Sequence, residues 1–107
     1  MKTIIDLKKK IGEYKEEEVK EEEVKEELKV NFDSAKSFYK KAFLIHKGDL
    51  TILKSYNTNV AEYNHNTNKI KVFGWYSKTT GRHINEFLQL YGFDKVTKRE
   101  MENWNNN

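Results

Sequence analysis

Apolar residues change their spacing between Lys54 and Phe93, from every second position to every third or fourth. Upstream of the change, short alternating runs cover Ala42 to His46, Leu50 to Tyr56, Val60 to Tyr63 and Ile70 to Trp75. They are separated by the turn-forming stretches Lys47-Gly48-Asp49 and His65-Asn66-Thr67-Asn68. Alternation of this length predicts half-buried strands, and such short breaks predict antiparallel neighbours. Downstream, Ile84, Phe87, Leu88 and Tyr91 recur at helical spacing. Ser77, Thr79 and Thr80 precede them, with Thr79 or Thr80 expected as N-cap, and Gly92 follows as a C′ glycine. The pattern predicts a three- or four-stranded antiparallel meander with a C-terminal helix packed on the sheet.

Residues 1 to 30 read as one charged helix, rich in Lys, Glu, Leu and Ile. Ile4, Leu7, Ile11 and Tyr14 share a face, whereas Val24 falls nearly opposite at about 100° per residue. The near-repeat over Lys15 to Leu28 has a period of five, which fits neither a heptad nor a solenoid unit. Its Glu to Lys pairs four apart support a solvated helix. A short helix is expected from Ser34 to Lys41, capped by Asn31 or Asp33, with Phe38 turned inward. The segment from Asp94 is polar with room for a short helix, and its last three residues should fray. The fold class is α+β, divided into an arm (1–30), a compact unit (31–93) and a polar tail (94–107).

At 107 residues the chain suits one modest core. It has no cysteine, hence no disulfide and no thiolate ligand or nucleophile. No apolar run approaches the roughly 20 residues that span a bilayer, so a soluble, cytoplasmic protein without membrane contact is expected. The net charge of +3 hides a division. Nine Glu against four Lys between Glu13 and Lys29 give a local −5, which leaves +8 on the rest. The acidic face, represented by Glu17, Glu21 and Glu22, suits a basic partner or imitates nucleic-acid phosphates; a merely solvated helix explains it equally.

The sequence offers no organised chemistry. His46, His65 and His83 lack the paired spacing of a zinc site, and neither Ser55 nor Ser77 lies in a nucleophile motif. No metal, cofactor or catalytic residue is expected. Ser77 to His83 would expose backbone N–H groups at a helix start, where Lys78 and Arg82 could help hold an anion; helix capping is the plainer use of the same residues. On the last strand, Lys71, Phe73 and Trp75 fall on one face, with Tyr56 or Tyr63 able to join them. Aromatics interleaved with lysine suit stacking on single-stranded nucleic acid, and burial under the N-terminal helix is the competing use.

The specific stretches Ser55-Tyr56-Asn57-Thr58, Val60-Ala61 and Tyr76 to Leu88, within Lys41 to Phe93, resemble a domain of unknown function found in small proteins of low-GC Gram-positive bacteria and their phages. The resemblance implies a phage or mobile-element setting, where small accessory proteins bind host machinery, including inhibitors of CRISPR nucleases. The function expected is thus non-enzymatic binding and inhibition of a host protein, such as a nucleic-acid-processing defence enzyme. Lys71, Trp75, Lys78, Arg82 and the acidic face are the candidate contacts. A nucleic-acid-binding module is the alternative, and self-association would run through the first helix.

Overall fold

A computed structural model describes residues 23–104. They form an α+β fold: strands β1 (Glu23–Glu27), β2 (Ala42–Lys47), β3 (Leu50–Ser55), β4 (Thr58–Asn64) and β5 (Lys69–Val72), then helices α1 (Lys78–Leu90) and α2 (Lys98–Glu102). The five strands make one antiparallel sheet in chain order. Four of them coincide with the alternating runs. The fifth, β1, is a correction, because Glu23–Glu27 was expected to be helical. Its glutamates and lysines have low strand propensity, but pairing decides the outcome. Val24, Glu26 and then Leu28 fall on the same face as His46, Leu44 and Ala42, which brings Leu28 into the core at 2% exposure. A charged strand at a sheet edge also discourages pairing with other chains. The amphipathic stripe from Ile4 to Tyr14, and Glu17, Glu21 and Glu22, lie outside the described residues.

The helix expected from Ser34 to Lys41 does not form. The segment is a sequence of bends ending in a tight turn at Phe38–Lys41, where the Lys41 N–H donates to the Phe38 carbonyl at 2.9 Å. Tyr39 (φ 51°) and Lys40 (φ 61°) both occupy the left-handed region there. That combination is a type I′ turn, which normally recruits Asn-Gly.

One face of the sheet carries Leu44, Leu53, Ala61, Tyr63 and Val72 against Ile84, Phe87 and Leu88 of α1. A bulge between Leu53 and Lys54 also leaves Val60 fully buried. Helix α1 begins earlier than expected: Ser77 is its N-cap, its hydroxyl accepting from the Thr80 N–H at 3.1 Å. Its far end is a Schellman arrangement. Gly92 takes φ 87°, its N–H donates to Gln89, and the Phe93 N–H donates to Leu88.

The segment after Gly92 belongs to the core. Asn85 holds it by a reciprocal amide pair with Val96, at 3.1 and 2.8 Å. Thr97 and Glu100 form the capping box of α2, which delivers Met101 to the core at 1% exposure. No helix among the described residues is long and apolar enough to cross a membrane.

Candidate functional site

The Ser77 to Glu86 stretch binds the first turns of α1 to two neighbours. On the sheet side, Ser55 Oγ lies 2.8 Å from both Thr80 Oγ1 and His83 Nδ1. On the other side, Arg82 donates through Nε (3.1 Å) and Nη2 to the two carboxylate oxygens of Asp33. One turn on, the wholly buried Glu86 carboxylate accepts the backbone N–H groups of Asn31 (2.7 Å), Phe32 (3.1 Å) and Asp33 (2.9 Å). A carboxylate is the natural acceptor for three converging N–H donors. The Arg-His-Ile-Asn-Glu run therefore fastens the 28–41 loop across the helix start.

The fastened loop leaves a cleft of about 380 Å³ between the Phe38–Lys41 turn, the β3–β4 turn and α1. Phe38, Tyr39, Lys41, Tyr56, Thr79 and Arg82 stand around it, and the buried His83 ring forms part of its floor. Tyr39 and Tyr56 are 70% and 48% exposed. Tyr56, like Tyr39, is left-handed (φ 57°), and its N–H donates to the Lys41 carbonyl at 2.7 Å, tying the two turns together. A bulky residue in that conformation costs about 1 kcal/mol or more, and such strain concentrates at functional sites. The Lys41 ammonium sits 5.5 Å from the centroid of the Tyr56 ring.

Burial, reinforced by the Arg82 charge and opposed by Asp33, lowers the His83 pKa to about 4. The ring is neutral at pH 7. The Arg82 hydrogen bond is the main cause that brings Asp33 down to about 2.

The candidate contacts do not meet in one place. Lys78 and Arg82, four apart, share the outer ridge of α1 beside the cleft. Lys71 lies on the opposite face of the sheet, its ammonium 5.8 Å from the Phe73 ring centroid. Trp75 does not join it. The strand stops at Val72, Gly74 takes φ 149°, and the Trp75 ring packs beside Gly81, where a Cβ would lie 2.6 Å from Cζ3. Lys98 covers that ring at 5.4 Å. Tyr63 is on the core side, stacked on Tyr91 at 4.2 Å.

The described glutamates of the acidic run have partners within the fold. Glu23 pairs with Lys47 at 3.7 Å, Glu26 with His46 at 2.5 Å, and Glu27 accepts the Lys40 N–H at 3.0 Å. His46 Nδ1 and His65 Nε2 both meet Thr51 Oγ1, at 2.8 and 2.7 Å. This acid–imidazole–hydroxyl array resembles a nucleophile relay in outline. Thr51 is fully buried, however, and its oxygen is held by two rings, so the array braces the sheet. Among the described residues no three His, Cys, Asp or Glu side chains gather as a metal would require.

Sequence reasoning missed Asp33 and Glu86 as partners of one loop, and Tyr39 as an exposed aromatic. The available signal was Glu86 within the buried arc of α1, where a carboxylate requires donors. No curated protein and no solved structure matches the chain. A family model matches residues 26–103, so the chain belongs to the family of unknown function DUF8033.

Proposed function

We propose that this is a non-enzymatic binding protein that docks onto a host protein through its tyrosine-bearing end and thereby inhibits or modulates it. The carrying observation is that Tyr39 and Tyr56 are held out to solvent on left-handed turns beside Lys41 and Arg82. Tyrosine and arginine dominate the energetically important centres of protein interfaces. Rigid aromatics on pinned turns also lose little entropy on docking. Lys78 extends the surface along the helix ridge. The enclosed Ser55 and Thr51 hydroxyls give a substrate no access, which favours binding over catalysis.

In the phage or mobile-element setting implied by the sequence resemblance, the target class we favour is a nucleic-acid-processing defence enzyme, such as a CRISPR effector, in the host cytoplasm. The acidic residues Glu17, Glu21 and Glu22 would supply a second surface for a basic part of the same partner. The test compares capture from nuclease-treated host lysate by the tagged wild-type chain and by the Tyr39→Ala, Tyr56→Ala variant. A stoichiometric host protein retained by the first and lost by the second supports this reading. Equal capture by both would remove the tyrosine end from the mechanism.

A second reading has its own observation. Lys25, Lys47, Lys54, Lys69 and Lys71 outnumber Glu23, Glu27 and Glu62 on the sheet face opposite α1, among the half-buried Phe43, Ile45 and Ile52. Such a face suits nucleic-acid phosphates and predicts affinity that falls steeply with salt. A salt-independent affinity for single strands would count against it.

A further inference from the structure

The cleft below Tyr39 and Tyr56 contains more than a flat docking patch uses. The His83 ring at its floor is fully buried, with Nδ1 held by Ser55 and with Nε2 lacking any hydrogen-bond partner. Buried polar atoms are nearly always satisfied, so an orphaned ring nitrogen at a cleft is an incomplete site. Phe38 stands edge-on to the ring at 4.5 Å and Tyr56 lies tilted at 6.0 Å, which puts aromatic surface around the imidazole. Lys41 supplies positive charge, and Arg82, whose charge is matched by Asp33 through Nε and Nη2, keeps Nη1 for another acceptor. A simple anion would leave the rings unused, whereas an uncharged ring would leave the cations unused. The volume of about 380 Å³ falls within the range of roughly 300–1,000 Å³ found for small-ligand sites.

We propose that this cleft binds a nucleotide, with the base against Tyr39 and Tyr56, a polar base edge towards His83, and the phosphate on Lys41 and Arg82. The inference rests on the reading that this end of the molecule is the docking end, and it adds the chemical group that the cleft takes. The nucleotide comes either free or as one unit of a single strand, and the chemistry of recognition is shared. A base stacked on tyrosine accounts for exposed aromatics on strained turns, and stacking tolerates any base. Nε2 lies just beneath the cleft surface, so the neutral imidazole hydrogen-bonds the base edge only once the Phe38 ring packed on it gives way, and the sense of that bond is fixed by whether Ser55 donates to Nδ1 or accepts from it.

The experiment is calorimetric titration of the full chain with AMP, UMP and a four-nucleotide single strand, using adenosine and inorganic phosphate as separate controls. Nitrogen NMR of the His83 ring runs alongside. Tyr39→Ala and Lys41→Glu are the variants, since both side chains are exposed and the fold does not depend on them. Saturable nucleotide binding, weakened roughly tenfold by each variant and accompanied by a shift of the His83 Nε2 resonance, is the expected result. Equal affinity for mononucleotide and tetranucleotide would identify a free nucleotide as the ligand; a tighter tetranucleotide would identify a strand. No binding, binding reproduced by phosphate alone, or affinity unchanged in both variants would overturn the proposal. With Nε2 unmoved, the ring would be satisfied by the face of Phe38 and the proposal would also fall. Protein capture in nuclease-treated lysate is read independently, so either the docking reading or the nucleotide inference can fail alone.

Discussion

His83 shows how one buried side chain makes stability depend on acidity. Its folded pKa of about 4 lies below the ordinary 6.5, so the unfolded chain binds a proton more readily than the folded one between those values. Its contribution to stability is complete above about pH 6.5 and is lost as the pH falls towards 4. A shift of this size corresponds to roughly 3 kcal/mol or slightly more. Asp33 acts in the same direction over a lower window, losing its contribution between about 3.8 and 2. Urea unfolding at pH 7.5 and pH 5 should show a lower midpoint at pH 5, and His83→Gln should flatten that difference. Lys40 makes the opposite kind of case, an exposed side chain on a left-handed backbone whose N–H already has its partner in Glu27. Lys40→Gly is expected to stabilise the fold by about 0.5–1 kcal/mol, visible as a thermal midpoint higher by a few degrees. An unchanged or lower midpoint would mean that the lysine side chain has contacts outweighing the strain.

At the scale of elements, periodicity read well wherever one face of an element is apolar and the other polar. The strands from Ala42 onward and α1 follow from that alternation, because burial of one face dictates both register and orientation. Strand β1 was illegible for the same reason: four of its five residues are charged, and what recruits it is the edge of β2 with Leu28 just beyond. The Phe38–Lys41 turn was illegible because Tyr-Lys replaces the residues that ordinarily mark a type I′ turn. At the site, Arg82 falls in the first turns of α1 as the sequence indicates, whereas Lys78, expected ahead of a Thr79 or Thr80 cap, is the first helical residue. Trp75 was extrapolated along a strand that Gly74 ends, and its actual neighbour is Gly81. That contact predicts a result against helix propensity. Gly81→Ala gains about 1 kcal/mol of intrinsic helix preference, but the Cβ must displace the Trp75 ring, at a cost of about 1–3 kcal/mol. A net loss of about 1 kcal/mol is expected in chemical denaturation, and Trp75→Leu should make the same substitution tolerable.

At the scale of the whole molecule, the two ends of the helix-side face are built differently. Near the C-terminal part of α1, Tyr63, Tyr91 and His65 pack ring against ring, and His46 and His65 both hydrogen-bond the Thr51 hydroxyl within the fold. Near its N-terminus, Arg82 and Glu86 hold the 28–41 loop, and the Tyr56 N–H ties the β3–β4 turn to Lys41 of that loop, so that Tyr39 and Tyr56 both stand out to solvent. Fastening the 14-residue β1–β2 connection with Arg82 and Glu86, beside a helix start that Ser55 braces on the sheet, is more than closure of a hairpin requires, and its consequence is a braced, strained rim. On the proposed reading, this rim exists to bind. The most direct test is a paired measurement on the Tyr39→Asn, Tyr56→Asn variant, recording the thermal midpoint and the affinity for the captured host protein together. Asparagine tolerates the left-handed region that tyrosine resists. If the rim is the docking surface, the midpoint will be at or above that of the wild type with affinity reduced roughly 30-fold or more, in line with loss of an interface hot spot of about 2 kcal/mol. Wild-type affinity in a variant that remains folded would contradict it.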